Sequence, residues 1–174
     1  KLTIVLGMSS MILAFTYPFM KRITYWPQLF LGLTFNCGII IGWTAITNSI
    51  SIEPIILYLS AIFWTLGYDT IYGLQDIKDD EIIGVKSTSI KFKNNVKFFV
   101  GTCYSFCVLL ILILFFMLDI NNYLFLLTVP FVVSLAYQVK FFKTSEPNTC
   151  LTAFKSNNLT GFLIFIFIFS LNII

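Results

Sequence analysis

Four aspartates stand close together at the end of a long apolar run, where carboxylates are costly unless they are used. They are Asp69, Asp76, Asp79 and Asp80, and the run before them begins at Pro54. If the helix over this run continued through Asp80, a turn of about 100° per residue would place Asp69, Asp76 and Asp80 within an arc of about 60°. Carboxylates held this close repel one another unless a cation lies among them, and an oxygen-only cluster suits Mg²⁺. The spacing therefore predicts a Mg²⁺ site that faces a phosphorylated substrate.

Acids at a helix end often do no more than solvate it, and for Asp79 and Glu81 that explanation is as good as a functional one. It fits Asp69 poorly, because about 15 residues of helix after Pro54 leave this carboxylate inside the edge of the hydrocarbon layer. An acid held there is destabilising by a few kcal/mol unless it is paired or functional. We therefore predict that Asp69 belongs to the catalytic group and that Tyr72 lies beside it.

Two places in the sequence supply positive charge near these acids. Lys86 follows the aspartates and could neutralise phosphate oxygens, with Ser87 beside it as a hydrogen-bond donor. Lys21 and Arg22 close the first apolar run, and Arg22 could pair bidentately with a carboxylate or a phosphate. The alternative explanation is positive charge that marks the cytoplasmic side of a membrane, and it accounts fully for the later lysines of the same loop.

Most of the remaining sequence consists of runs long enough to cross a bilayer. The chain has 174 residues and is 58% hydrophobic and 11% charged, with a mean hydropathy of +0.91. The runs are continuously apolar rather than alternating, which favours helices over strands. We therefore predict an all-α integral membrane protein with six spans near the length of about 20 residues that a bilayer requires. The predicted spans are 2–20, 29–46, 54–72, 98–118, 123–139 and 159–174.

The distribution of basic residues predicts the orientation of these spans. Ten of the eleven Lys and Arg residues fall in three alternate loops, whereas loops 47–53 and 119–122 contain none. Because positively charged loops stay inside, we predict that the loops with the aspartates lie on the cytoplasmic or matrix side, and that the C-terminus ends on the other side. The membrane would be a bacterial or a mitochondrial inner membrane.

Several classes of chemistry are excluded by residues that the sequence lacks. It contains no histidine, so Ser-His and Cys-His nucleophiles and histidine metal sites are ruled out together. No Gly-rich nucleotide loop and no clustered basic helix are present, so neither ATP nor nucleic acid is indicated. The four cysteines are predicted to be small packing residues rather than metal ligands. With 20 phenylalanines in the chain, no single one can be assigned to a site from the sequence.

Two segments resemble the UbiA superfamily of intramembrane prenyltransferases. Residues 69–87 fit its second Asp-rich motif, in which Asp-x-x-Tyr-x-x-x-Asp-x-x-x-Asp is followed by Gly-x-Lys-Ser. Residues 17–28 read Tyr-Pro-Phe-Met-Lys-Arg-Ile-Thr-Tyr-Trp-Pro-Gln, and with Leu31, Gly32 and Phe35 they are similar to the 4-hydroxybenzoate polyprenyltransferase branch. The motifs occur in the family's order, and each lies beside a predicted span.

The resemblance implies a nine-helix bundle in which the six predicted spans are the fourth to ninth helices. Residues 1–174 would form a single, incomplete membrane domain without the first three helices, with a catalytic loop at about 69–97. The implied activity is Mg²⁺-dependent transfer of a polyprenyl group from polyprenyl diphosphate to the ring of 4-hydroxybenzoate, in ubiquinone biosynthesis. The family's first Asp-rich motif is not found here, so a separate N-terminal segment would be a partner; otherwise the chain would be an inactive remnant.

The resemblance also implies roles for individual residues. Asp76 and Asp80 resemble Mg²⁺ ligands, and Asp69 resembles a nearby ligand or a stabiliser of the allylic cation. Lys86 resembles a diphosphate contact, and Arg22 is the candidate for the carboxylate of 4-hydroxybenzoate. The other candidates are Tyr72 at the catalytic centre and Lys21 and Ser87 in substrate binding.

A secondary transporter or lipid-binding membrane protein would also use an acid within the membrane. Acids of that class tend to lie near the bilayer midplane beside broken helices. The aspartates here are predicted at one membrane edge beside basic residues suited to a diphosphate. Mg²⁺-dependent binding of a prenyl diphosphate would separate the two classes.

Overall fold

The computed structural model describes residues 1–119 and 124–170, and these residues form helices joined by short loops. The prediction of an all-α protein is confirmed, since no strand occurs in the described ranges. The helices are α1 (Leu2–Ile23), α2 (Pro27–Phe35), α3 (Gly38–Thr47), α4 (Ile52–Tyr72), α5 (Ile77–Ile83), α6 (Thr88–Lys91), α7 (Val96–Met117), a 3₁₀ helix (Leu124–Thr128), α8 (Val129–Phe141), α9 (Pro147–Lys155) and α10 (Asn157–Ser170).

Five helical segments in the described ranges are long and apolar enough to cross a membrane. They are α1, the pair α2–α3 (Pro27–Thr47), α4, α7 and the pair α9–α10 (Pro147–Ser170). The remaining apolar helix, Leu126–Phe141, is shorter and corresponds to the fifth predicted span. The predicted start of the fifth span at 123, the end of the sixth at 174 with the C-terminus, and loop residues 120–122 lie outside the described residues.

Proline and polar residues explain the shifted boundaries. Pro147 lies in the first turn of α9, where a missing N–H costs nothing, so the last span begins well before the predicted residue 159. A short break at Ser156 then separates α9 from α10. Asn36 similarly separates α2 from α3, and its side-chain amide donates to the hydroxyl of Thr65 on α4 (2.9 Å).

The helices α4 and α7 form the central pair of the fold. Ser60 donates a hydrogen bond to the carbonyl oxygen of Cys107 (3.0 Å), and the ring of Tyr104 packs directly against Gly67. Cys107 is buried, and all four cysteines are free thiols. Close packing of this pair fixes the position of the end of α4, which carries Asp69.

A buried polar network joins this pair to the C-terminal helices. The Tyr104 hydroxyl donates to Oε1 of Gln138 (2.6 Å). Nε2 of Gln138 in turn donates to Oδ1 of Asn157 (3.1 Å) and to the hydroxyl of Thr160 (3.0 Å). Nε1 of Trp64 on α4 donates to the same Oδ1 of Asn157 (3.0 Å). Because buried polar groups in apolar surroundings are stable only with such partners, this network specifies how α4, α7, α8 and α10 meet.

Candidate active site

The acidic segment is bent rather than helical throughout. The helix α4 ends at Tyr72, with Gly73 at its C-cap, and a new helix, α5, begins after Asp76 at the N-cap. The amides of Leu74 and Gln75 bond back three residues, which tightens and ends the helix. The continuous helix through residue 80 on which the predicted 60° arc depended is therefore wrong, and a turn sets the positions of the acids instead.

The turn still groups charges around Asp80. This side chain is half-buried in the first turn of α5, and Asp76 and Asp79 are exposed beside it. Partial burial raises the pKa of Asp80 most, the positive charge of Lys21 opposes that rise, and the neighbouring carboxylates Asp76 and Asp79 add to it. Lys21 is also within electrostatic range of Asp69 at the end of α4. The structure thus brings together four of the predicted site residues: Lys21, Asp69, Asp76 and Asp80.

The loop after α5 is attached to the end of α1. The backbone N–H of Lys86 donates to the carbonyl oxygen of Lys21 (2.8 Å), and Nζ of Lys86 donates to the carbonyl oxygen of Ile23 (3.1 Å). The same Nζ lies 5.6 Å from the ring centroid of Tyr25. Gly84, with φ of 79°, ends α5 in the left-handed conformation and directs the chain into this contact. These contacts unite the two sequence motifs into one site.

Ser87 has a structural partner at this site. Its side chain is buried and its Oγ accepts a hydrogen bond from the N–H of Ile90 (3.2 Å), which caps the start of α6. The next residue, Thr88, donates its N–H to Oε1 of buried Gln28 (3.0 Å) and shares a hydroxyl hydrogen bond with Thr70 (2.6 Å). A role for Ser87 in binding substrate stays a prediction, and its neighbour Thr88 holds α6 against α2 and α4.

Sequence reasoning did not assign a role to Gln28. Its side chain is 5% exposed and ties the loop before α6 to α2. The only signal available was its polar side chain directly after the Trp-Pro pair of the first motif, at the start of an apolar helix.

Arg22 and Tyr72 lie at the same end of the molecule. Arg22 is exposed in the last turn of α1, and within residues 1–119 and 124–170 it forms no ion pair. Tyr72 is 41% exposed, and its ring centroid lies 4.7 Å from that of Phe154 on α9. The predicted roles of Arg22 and Tyr72 stay predictions, and Phe154 is a neighbour that sequence reasoning did not find.

The side chains at this turn have the chemistry that an oxygen-preferring cation requires. No three acidic or cysteine side chains in the described ranges form a group that could hold a metal ion by themselves. Mg²⁺, however, is commonly held by one or two carboxylates together with waters and substrate phosphates. Asp76 and Asp80, whose like charges already act on each other, fit that mode of binding.

The raised pKa of Asp80 predicts a pH dependence of stability. The folded protein binds this proton more tightly than the unfolded chain, so the associated stability is present below the ordinary Asp pKa of about 4 and is lost as the pH rises through the raised pKa. We expect the unfolding midpoint of the parent chain in detergent and EDTA to fall relative to that of Asp80→Asn as the pH rises above about 4. The change should be small because Asp80 is half exposed. A midpoint that rises over this range relative to Asp80→Asn would contradict the assignment.

These features define a multi-pass α-helical membrane protein whose acidic and basic groups meet where several helices end. The profile of the UbiA prenyltransferase family matches residues 1–170. The chain belongs to this family, and the resemblance seen in the sequence is confirmed.

The relatives include several proteins named 4-hydroxybenzoate polyprenyltransferase, mitochondrial. The protein of Bos taurus is 41% identical over 172 residues, which cover 94% of this chain and 44% of the relative. That of Aedes aegypti is 39% identical over 166 residues (94% of this chain, 37% of the relative), and that of Arabidopsis thaliana is 56% identical over 94 residues (53% and 23%). The chain thus spans less than half the length of these relatives. No solved structure matches it.

Proposed function

We propose that this chain carries part of the active site of a prenyltransferase that moves a polyprenyl group from polyprenyl diphosphate to the ring of 4-hydroxybenzoate, in ubiquinone biosynthesis. The observation that supports this most strongly is the meeting of the two motifs: Lys86 bonds to the backbone of Lys21, and Lys21 acts electrostatically on both Asp69 and Asp80. A site with basic and acidic side chains together at one membrane edge suits a substrate with an anionic head and an apolar tail.

In this proposal the basic groups bind the head of the donor. Lys21 and Lys86 neutralise diphosphate oxygens, and Ser87 adds a hydrogen bond if its hydroxyl proton turns toward the substrate. Arg22, exposed at the end of α1, binds the carboxylate of 4-hydroxybenzoate.

The reaction would exchange one bond for another. The bond between the first carbon of the prenyl group and the diphosphate oxygen breaks, and its electron pair leaves with diphosphate. A ring carbon ortho to the phenol hydroxyl then bonds to that prenyl carbon, and the ring proton leaves to diphosphate or water. Asp69 and Tyr72 lie beside the developing allylic cation, whose charge a carboxylate stabilises.

Mg²⁺ would be held by Asp76 and Asp80, with Asp69 near it, and when bound it would supply positive charge that favours departure of diphosphate. The proposal includes further acidic ligands from a separate N-terminal segment with the family's first Asp-rich motif. It also places the chain in a bacterial or mitochondrial inner membrane, with the loop at about 69–97 on the cytoplasmic or matrix side.

The test is Mg²⁺-dependent prenylation of 4-hydroxybenzoate in membranes that contain this chain, alone and together with the first three helices of a related enzyme. We expect turnover in the combined sample and its loss with Asp76→Ala, which removes a proposed ligand but leaves the helices intact. No turnover in either sample, with insertion and co-assembly confirmed, would reject the proposal and favour an inactive remnant or another acceptor. Ion uptake without prenyl diphosphate would instead indicate a transporter.

A further inference from the structure

Three aromatic side chains pack together at the end of α4 that carries Asp69. Tyr68 and Tyr72 are contributed by α4 itself, and Asp69 lies within electrostatic range of the Tyr68 hydroxyl. Phe154 comes from α9, with its ring centroid 4.7 Å from that of Tyr72 and 5.9 Å from that of Tyr68. Tyr68 and Phe154 are half-buried and Tyr72 is 41% exposed, so all three rings keep a surface that a ligand can contact.

The backbone of Phe154 is held in place from the break between α9 and α10. Nδ2 of Asn157 donates to the carbonyl oxygen of Phe154 (2.9 Å), while Oδ1 of Asn157 accepts from Trp64 (3.0 Å) and from Gln138 (3.1 Å). One amide side chain therefore connects the residue that carries the ring to α4 and α8. Phe154 is 85 positions from Asp69 in the sequence, and this connection brings their helices together.

We propose that Phe154, together with Tyr68 and Tyr72, forms an aromatic wall that contacts the allylic end of the prenyl donor, and that Asn157 is the positioning residue for this wall. The proposal rests on the proposed prenyl transfer and adds to it the phenylalanine that contacts the reacting group.

The physical reason is the charge that develops at the allylic carbons as diphosphate leaves. The faces of aromatic rings attract a cation, and they do so more strongly where water is excluded. A wall of three rings next to Asp69 stabilises the cation and also keeps water away from it. Loss of one ring therefore has two effects: slower transfer, and more capture of the cation by water to give the prenyl alcohol.

The first test measures how the donor is partitioned between prenylated 4-hydroxybenzoate and prenyl alcohol. In the sample that is active for the parent chain, we expect Phe154→Leu to lower transfer about tenfold, the rate equivalent of one cation–π contact, and to raise the fraction of prenyl alcohol several-fold. Phe154→Tyr keeps a ring, so both the transfer rate and the fraction of prenyl alcohol should equal those of the parent chain. Equal partition in the parent and Phe154→Leu would overturn the proposal, since a structural defect alone slows both products together.

Matched substitutions separate the wall from general effects on the membrane domain. Phe165→Leu makes the same change at a ring that is 59% exposed on α10, and it should leave partition unchanged. Asn157→Ala should raise the alcohol fraction in the same direction as Phe154→Leu, whereas Asn158→Ala, at the exposed neighbouring residue, should not. A raised alcohol fraction in both asparagine variants would contradict the positioning role of Asn157.

A second measurement does not require turnover. A prenyl diphosphate analogue with a photoreactive group on its first isoprene unit should label the α9 peptide that contains Phe154, with the labelling suppressed by unlabelled donor. Labelling without turnover would keep the wall as a binding site and reject the proposed transfer by this chain. Turnover without label on α9 would keep the proposed function and reject the wall.

Discussion

Replacing Asp76 and Asp80 together by Asn should lower prenyl transfer by about a thousandfold, the largest effect that we expect from any conservative change in this chain. The substitutions keep the size and hydrogen-bonding shape of the side chains and remove only their charges. Both carboxylates lie at the turn between α4 and α5, where Lys21 is the nearby cation. The measurement is the initial rate of prenylation in membranes at saturating Mg²⁺.

The same double substitution should not destabilise the protein. Asp76 and Asp80 raise each other's free energy by like-charge repulsion, so their neutral replacements should leave the unfolding midpoint in EDTA equal or higher. Asp79→Asn, at an exposed carboxylate of the same turn, is the matched control and should change the rate by less than about threefold. Full activity of the double variant, or equal losses in the double variant and Asp79→Asn, would contradict the proposed roles.

Substitution of Gly67 by Ala should give the largest loss of stability. A methyl group at this position would lie 2.4 Å from Cε1 and 2.8 Å from Cδ1 of Tyr104, much closer than carbon atoms approach. The Tyr104 ring is 4% exposed and its hydroxyl donates to Gln138 (2.6 Å), so it cannot move without breaking a buried hydrogen bond. We expect the free energy of unfolding to fall by about 2 to 3 kcal/mol, measured by denaturant titration in mixed micelles.

Gly101→Ala on α7 provides the matched control, because a methyl group there meets nothing within 4 Å. That variant should be as stable as the parent chain or slightly more stable, since Ala favours a helix. If steric conflict with Tyr104 is the cause, Gly67→Ala combined with Tyr104→Ala should cost less than the sum of the two single changes. If the two losses of stability simply add, steric conflict with Tyr104 is not the cause.

Much of the fold follows from composition and periodicity. Continuous apolar runs require helices in a membrane, because only a helix or a closed barrel satisfies every backbone group there. The same reasoning failed at the start of the last predicted span, which begins at Pro147 rather than at residue 159. The sequence shows Lys155, Ser156 and Asn157 as a polar interruption, whereas Asn157 is a half-buried hydrogen-bonding partner of Trp64 and Gln138 within the helical pair α9–α10.

The candidate site was likewise predicted only in part from the sequence. Asp69, Asp76, Asp80, Lys21 and Lys86 were found from residue type and spacing, because charged groups beside apolar runs are rare and costly. Their arrangement was not predicted correctly, because the prediction assumed a continuous helix that the turn at Gly73 interrupts. The structure also joins the two basic segments through the backbone hydrogen bond from Lys86 to Lys21.

The sequence by itself determined the membrane class and the helical architecture, because hydropathy is a local property of each segment. Its two motifs indicated the family and predicted the charged residues of the candidate site. Only the tertiary structure decided that α5 is a separate helix, that Gln28 ties α2 to the loop before α6, and that Phe154 lies beside Tyr72. The contacts of Gln28 and Phe154 join distant segments, and such contacts leave no periodic signal in the sequence of either partner, whereas α5 is set apart by a local turn that hydropathy does not show.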